Sequence, residues 1–318
     1  MIFDFAEHHK NLKQNPNYSI SSQILQKCEW TIGGTGHVFT DKNTDQPFIG
    51  IAVVQILDFR LQCSPTGSFV KPEYGTLDKA KYQFMGGRPH NANGFNEDFA
   101  RLHTLLNNIE NLIAQTQRKK DMLPDKQSIR FARNIFEKRD IPVPDSPTAS
   151  RKTVYLEDIE NDTGPLQSTG SKSKEKLEMD KETANWPVDD EYCQYLDPIK
   201  AHFKAVPLRV YDEENHFVEP ENVNNVLRNA VVEVHFTLHH TYLAKSSPPQ
   251  DSFRANIEQM MILKRGKPIA AIYTSDPRSG PVRTAIHHTP PPAEEPTAKK
   301  LHVDEAAEKK GKEKATDI

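Results

Sequence analysis

Alternating apolar and polar positions are the clearest pattern in the chain, and the alternation is strictest over 231–242. One set of alternate positions holds Val232, Val234, Phe236, Leu238, His240 and Tyr242. The other set holds Val231, Glu233, His235, Thr237, His239 and Thr241. A period of two with β-branched side chains is typical of an extended strand. The pattern therefore predicts a strand with one packed face and one half-solvated face.

Other stretches also have strand character. We predict earlier strands at 30–40, 48–63 and 76–85, and later ones at 205–211, 253–264 and 269–274. The glycines in GGTGHV indicate a broken strand or a hairpin. In the second stretch the alternation slips between Val53 and Val54, which predicts a bulge or a sharply coiled strand.

Helical periodicity marks two segments. Apolar side chains at spacings of three and four from Phe95 to Ile113 predict a helix over 96–118, with Asn96 as its N-cap. The basic run 118–120 then lies near the negative end of the helix dipole. A second helix is predicted over 125–138, and its apolar face would carry Ile129, Ala132, Ile135 and Phe136.

Composition divides the chain into folded and unfolded parts. Of its 318 residues, 36% are hydrophobic, 27% are charged and 23 are proline. This hydrophobic content is low for a uniformly folded chain. The linker-like stretches are rich in Pro, Ser, Thr, Lys and Glu. We expect a lead-in at 1–29, one domain in two parts at 30–139 and 186–274, a disordered insertion at 140–185 and a disordered tail at 275–318.

Net charge and cysteine usage limit the kind of binding surface and the cellular compartment that we expect. The formal net charge is −3, so any surface that binds nucleic acid must be a local basic patch. Three widely spaced cysteines argue against a disulfide scaffold. No secretory signal or membrane-length apolar run is present. These features predict an intracellular protein, nuclear or cytoplasmic, without a membrane partner.

The histidines do not predict a metal site. On a strand, His235 and His239 point the same way but lie about 13 Å apart, while His240 points to the opposite face. Other signals of catalysis are weak, because GGTGHV lacks the third glycine of a dinucleotide loop and no P-loop or nucleophile-elbow motif occurs. Cys63 ends an apolar strand and is expected to be a buried, inert thiol. We predict no metal, no cofactor and no enzymatic activity.

The order of the elements points to a fold. Three strands, a helix and then further strands is the order of an OB-fold barrel, whose helix lies between the third and fourth strands. A mostly β fold of this kind, with additional helices, would also explain a coiled second strand. An antiparallel α+β sandwich of similar content is the alternative.

A resemblance supports the barrel. Residues 206–267 are similar to the end of OB-fold single-stranded DNA-binding proteins of the tailed-phage type, and they also resemble a group of uncharacterised proteins of mushroom-forming fungi. The matching positions are Val232, Val234, Phe236, Leu238, Tyr242, Gln259, Leu263 and Gly266. Asn229 stands where the phage family usually has glycine. After Pro292, seven carboxylates nearly balance six lysines, which puts the family's acidic recruiting tail in doubt.

The resemblance implies binding of single-stranded DNA or RNA without catalysis, by aromatic stacking and by Lys or Arg contacts to phosphate. The candidate contact residues are Trp30, Phe59, Arg60, Tyr74, Lys81, Tyr82, Arg209, His235, His239 and Arg254. For each aromatic residue, core packing is the competing interpretation. The alternative function is a protein-interaction or self-associating module that does not bind nucleic acid.

Overall fold

The computed structural model describes residues 3–143 and 178–266. The strands are β1 (Cys28–Gly33), β2 (Gly36–Asp41), β3 (Gly50–Gln62), β4 (Lys81–Gly87), β5 (Lys119–Asp121), β6 (Ser128–Asn134), β7 (Phe136–Lys138), β8 (Phe203–Ala205), β9 (Val210–Tyr211), β10 (Val231–Leu243) and β11 (Gln250–Lys264). The α-helices are α1 (Phe5–Gln14), α2 (Ile24–Lys27), α3 (Phe95–Asn111), α4 (Lys181–Ala184), α5 (Asp190–Lys200) and α6 (Pro220–Leu227).

Five strands form a closed circuit. β3 pairs with β4, β4 with β6, β6 with β11, β11 with β10, and β10 returns to β3. All of these pairs are antiparallel except β6 with β11, which run parallel. A closed circuit of hydrogen-bonded strands is a barrel rather than a sandwich, so the predicted OB-like, mostly β fold is confirmed.

The first of the predicted strands does not belong to the barrel circuit. The predicted strand at 30–40 is the antiparallel hairpin β1–β2, which joins the circuit through β10 and lies outside it. The long helix α3 therefore follows β4, the second strand of the circuit. Helices α4, α5 and α6 lie between the third and fourth strands of the circuit, β6 and β10.

Aromatic side chains fill the interior of the barrel. The rings of Phe84 and Phe131 are stacked with centroids 5.1 Å apart, and Phe236 meets Phe131 edge-on at 5.4 Å. All three are at most 1% exposed. One face of α3, including Phe99 and Leu106, packs against the same core. The alternation that predicted β10 therefore places its apolar set inside the barrel.

The slip of alternation in β3 has a different cause from the one predicted. Ala52 and Val54 join the main core, while Ile51 and Val53 are buried on the opposite face in a second apolar cluster. That second cluster includes residues of α1. The strand is apolar on both faces because both faces are covered. The irregular pairing lies further along β3, between Leu57 and Gln62.

Two helix predictions need correction. The segment predicted as a helix over 125–138 is strand, in β6 and β7. Ile129 and Phe131 alternate with the outward Arg130, and this short alternation was obscured by apolar residues at helical spacing. Helix α3 begins after Gly94, so Asn96 lies inside it and is not its cap.

The basic run 118–120 does not lie at the end of α3, as the sequence predicted. Because α3 ends at Asn111, Lys119 belongs to β5. Its Nζ still reaches the last turns of the helix, 3.1 Å from Glu110 Oε2 and 2.8 Å from Asn111 Oδ1. Lys119 therefore supports the end of α3 from a neighbouring strand.

Some predicted segments lie outside the described residues. These are the strand at 269–274, the tail at 275–318 and residues 144–177 of the insertion. The lead-in at 1–29 contains α2 and also α1, which the sequence patterns did not predict. Among the helices described, none has the length and apolarity needed to cross a membrane.

Candidate nucleic-acid interface

The outer face of the barrel carries the polar side chains of four strands. Lys81 on β4 is paired with Asn134 on β6, and Arg254 on β11 is paired with His239 on β10. Arg254 lies 3.5 Å from Asn134, from Nη1 to Oδ1, so these side chains form a row across the four strands. The row exists because the inward positions of these strands are apolar and alternation turns the polar positions outward.

A cleft of about 240 Å³ lies along this row. Four basic side chains from four strands line it, and we call it the cationic cleft: Lys81, Arg130, His239 and Arg254. Among the described residues that line it, Asp121 is the one carboxylate. Asp121 is already engaged, because Arg130 lies 3.2 Å from it and Ser252 Oγ donates a hydrogen bond of 2.6 Å.

Burial, together with the charge of Arg254, destabilises the charged forms of Lys81 and His239 in the cationic cleft. Burial, and then repulsion from Arg254, lowers the pKa of Lys81. The pKa of His239 is lowered by the same two causes in the same order. Burial also lowers the pKa of Arg254. A bound anion would relieve this repulsion, so the cleft is suited to a phosphate group.

A larger cleft of about 690 Å³ opens beside the irregular part of β3, and we call it the bulge cleft. Its lining includes Leu57, Phe59 and Arg60 from β3. The Phe59 side chain is 67% exposed, and the guanidinium carbon of Arg60 lies 5.0 Å from its ring centroid. Arg60 has a φ of 61°, a left-handed conformation that suits a bulge. The bulge thus presents an aromatic ring and a cation together at the surface.

The two clefts are neighbours on one face. Met85 lines the bulge cleft and Arg130 lines the cationic cleft. These two residues are register partners on β4 and β6, so their side chains lie side by side. A flexible polymer could therefore contact both clefts along the same outer surface.

The structure brings five of the predicted contact residues to these clefts: Phe59, Arg60, Lys81, His239 and Arg254. Arg209 is exposed but lines neither cleft. Tyr74 is 84% exposed and lines a separate cleft of about 80 Å³ in the loop before β4. That loop is anchored next to the cationic cleft, because the backbone N–H of Lys81 donates to Ser68 Oγ at 3.0 Å.

Two of the predicted aromatic contacts have partners within the fold. Tyr82 is 1% exposed and its hydroxyl donates to Val206 O at 3.4 Å, so its ring cannot stack on a base in this structure. Trp30 packs against the core, and its indole N–H donates to Ile109 O at 3.0 Å. For these two aromatics, packing is the arrangement that the structure shows.

His235 is turned toward a buried carboxylate. Its Nε2 lies 2.7 Å from Glu233 Oε1. The strand geometry of His235 and His239 agrees with the sequence prediction. Within the described parts of the chain, no group of three or more His, Cys, Asp or Glu side chains could hold a metal ion.

Sequence reasoning missed several cationic residues of the two clefts. Arg130 was hidden by the incorrect helix prediction, although its position between Ile129 and Phe131 is the signal of an outward strand residue. Arg88 and Lys126 line the bulge cleft from segments without regular periodicity. Only the folded barrel shows that these positions adjoin Phe59.

Comparisons with known proteins place these observations in context. No protein-family model matches the chain, and no match is found among curated proteins. Similar solved structures include the single-stranded DNA-binding protein gp2.5 encoded by bacteriophage T7, with 10% identity, a TM-score of 0.33, and coverage of 70% of this chain and 89% of that one. Another is the single-stranded DNA-binding protein from bacteriophage Enc34 in complex with ssDNA, with 11% identity, a TM-score of 0.28, and coverage of 77% and 99%. Likeness at this level does not identify a family for the chain.

Proposed function

We propose that the chain binds single-stranded nucleic acid along the outer face of its barrel and does not transform it chemically. Phosphates of the strand would lie in the cationic cleft, and a base would stack on Phe59. The observation that carries this proposal is the convergence of Lys81, Arg130, His239 and Arg254 on one cleft whose described lining has a single, engaged carboxylate. An excess of half-buried positive charge on a protein of net negative charge calls for an anionic ligand.

Single-stranded nucleic acid fits the shape of this surface. Its flexible backbone can follow a row of side chains across four strands, and its unstacked bases can reach an exposed aromatic ring. A duplex presents its phosphates on a rigid rod and keeps its bases stacked, so it would make poor use of Phe59. We therefore expect weaker binding to duplex DNA than to a single strand.

The direct test is the binding of fluorescein-labelled oligo-dT, measured by anisotropy at increasing salt. Binding should weaken steeply with salt, because each phosphate that is neutralised releases bound counterions. The double variant Lys81→Gln/Arg254→Gln should reduce the slope of log K against log salt by about 1.4, from about 0.7 per contact for single strands. A labelled oligo-U run in parallel compares RNA with DNA.

A matched control comes from β7 and β8, which pair with each other in a separate two-stranded sheet. Lys138 and Lys204 are exposed on β7 and β8 and line neither cleft, so Lys138→Gln/Lys204→Gln removes the same net charge elsewhere. Equal losses in the two double variants would show that binding follows net charge rather than the cleft. If no binding occurs at low salt, the proposal fails and the protein-interaction alternative takes its place.

A further inference from the structure

The bulge cleft has the lining of a nucleotide-binding pocket. We propose that it holds a single nucleotide unit, with an unstacked base against its apolar floor and Phe59 and with the phosphate at its cationic rim. This inference rests on the proposed function and deepens it, since it assigns one defined subsite on the binding face. The shared chemistry is that of a nucleoside monophosphate, whether free or part of a strand.

The floor of the cleft suits a flat, largely apolar ring. Leu57, Met85 and Phe99 contribute aliphatic and aromatic surface. Gly87 lies among them, and a Cβ at that position would come within 3.0 Å of Leu57 Cδ2. The missing side chain therefore leaves room at the end of β4. At about 690 Å³, the space falls in the range of pockets that hold small organic ligands.

The rim of the cleft carries unneutralised positive charge. Arg60, Arg88 and Lys126 are exposed lining residues, and among the described residues none of the three has a carboxylate within ion-pair distance. The carboxylate in the lining is that of Asp125. Three cations with one carboxylate leave the rim positive.

Asp125 is occupied by its own turn. Its Oδ1 accepts from the backbone N–H of Gln127 at 2.7 Å, and its Oδ2 accepts from Ser128 Oγ at 2.9 Å. These hydrogen bonds outweigh its slight burial and lower its pKa. Because it is held in the turn, Asp125 shapes the wall of the cleft and leaves the three cations free for a phosphate.

The apolar floor and the cationic rim together favour one kind of ligand. Inorganic phosphate would use the rim but leave the floor and Phe59 uncovered. A nucleoside would use the floor but leave the cations without a partner. A nucleotide uses both, because a base stacks on an aromatic ring while its phosphate accepts from guanidinium groups. The neighbouring cationic cleft would then receive the next phosphate of a strand.

The test measures binding of thymidine monophosphate by ligand-observed NMR, which detects weak complexes, with thymidine and inorganic phosphate as separate probes. The nucleotide should bind more tightly than either probe. Phe59→Ala should weaken nucleotide binding about 5- to 150-fold, the range for loss of one base–aromatic stack. Arg88→Gln should weaken the nucleotide and phosphate but not thymidine.

Matched controls use similar surface groups elsewhere. Phe217 is 41% exposed and lies outside the bulge cleft, so Phe217→Ala should leave nucleotide binding unchanged. Lys204→Gln should do the same for the charge. The inference is overturned if thymidine monophosphate does not bind, or if Phe217→Ala weakens it as much as Phe59→Ala.

The same variants separate the source of the nucleotide. If Phe59→Ala weakens oligo-dT as well as the monophosphate, the pocket takes a unit of the strand. If it weakens only the monophosphate, the pocket takes a free nucleotide. Oligo-dT binding without monophosphate binding would end this inference and leave the proposed function standing, whereas the reverse result would end the proposed function and leave the pocket.

Discussion

His8 on α1 and Glu233 on β10 lie 2.6 Å apart, from Nε2 to Oε2, although 225 residues separate them. The Glu233 side chain is 4% exposed, and it also contacts His235 at 2.7 Å. The next residue of α1 repeats the arrangement, because His9 lies 2.7 Å from Asp98 on α3. Histidine–carboxylate pairs therefore tie α1 to both the barrel and the long helix.

The first prediction concerns Glu233→Gln. Burial raises the pKa of Glu233, but hydrogen bonds from His235 and His8 outweigh it and hold the pKa below its ordinary value. Stability from a lowered pKa is present above the unfolded value of about 4.3 and is lost as pH falls through the folded value. The variant should lower the free energy of unfolding by about 1–3 kcal/mol at neutral pH.

Urea unfolding at about pH 7 and about pH 3.5 provides the measurement. The difference between wild type and variant should shrink at the lower pH, because the unfolded wild type takes up a proton at Glu233 there while the lowered pKa opposes protonation in the folded state. Glu29→Gln, at an exposed position of β1, is the control and should change stability by less than about 0.5 kcal/mol at either pH. A loss that is the same at both pH values would contradict the role given to the ionised Glu233.

The second prediction concerns the backbone at Asn229, between α6 and β10. Its φ is 55°, a left-handed conformation that glycine adopts freely and asparagine tolerates. Asn229→Gly should therefore leave the protein folded with a small change in stability. Asn229→Val should lower the free energy of unfolding by at least about 1–2 kcal/mol, because a β-branched side chain is strained there.

The comparison needs a valine control and a melting curve for each variant. Asn225→Val, at an exposed position of helix α6, should change stability by less than about 0.5 kcal/mol, because asparagine and valine have similar helix propensities. Part of the Asn229 effect comes from its amide, which donates to Asp58 Oδ2 at 3.0 Å. Equal melting temperatures for the valine and glycine variants would refute the backbone explanation.

Local patterns predicted the strands better than they predicted the surfaces. Alternation around Phe236 was enough to predict β10 and its inward face. The same rule failed for β6, because Ile129, Ala132 and Ile135 also fit a helix and the short strand supplies few alternations. Helix α1 was missed because the groups that hold it, such as Glu233, lie far away in the sequence.

The candidate site was predictable only in pieces. Lys81, His239 and Arg254 were each proposed from residue type, yet their convergence depends on the closure of the barrel. His239 and Arg254 face each other on the consecutive strands β10 and β11, but β4 with Lys81 lies far away in the chain, and no local pattern predicts that it meets them. The burial of Tyr82 illustrates the converse, since an aromatic residue in a strand can face either side and only the register decides which.

The third prediction concerns the cysteines. Burial raises the pKa of Cys63 to about 12, and burial followed by repulsion from Asp41 raises the pKa of Cys28 to about 11. At about pH 8 only about one in ten thousand Cys63 thiols would be ionised, so both should resist a disulfide reagent until the protein unfolds. Cys193 on α5 is half-buried and should react rapidly in the native protein.

Counting released thiolate against time in native buffer and in urea measures this difference. One thiol should react in the fast phase and two should appear on unfolding. Cys193→Ser should remove the fast phase, and Cys63→Ser should leave it intact. Rapid reaction of all three thiols in native buffer would show that the ends of β3 and α2 open readily.

The last prediction links nucleic-acid binding to the protonation of His239. In the free protein, burial and then repulsion from Arg254 lower the pKa of this imidazole. A phosphate in the cationic cleft would favour the charged imidazole and raise its pKa, so binding would take up a proton. Affinity for oligo-dT should therefore rise as pH falls through the raised pKa of the complex, and His239→Gln should flatten this dependence.

The control is His202→Gln, at an exposed position outside both clefts, which should retain the pH dependence of the wild type. If the wild type and His239→Gln show the same pH dependence at constant salt, then His239 does not face the phosphate, and the strand must pass the cleft along Lys81, Arg130 and Arg254.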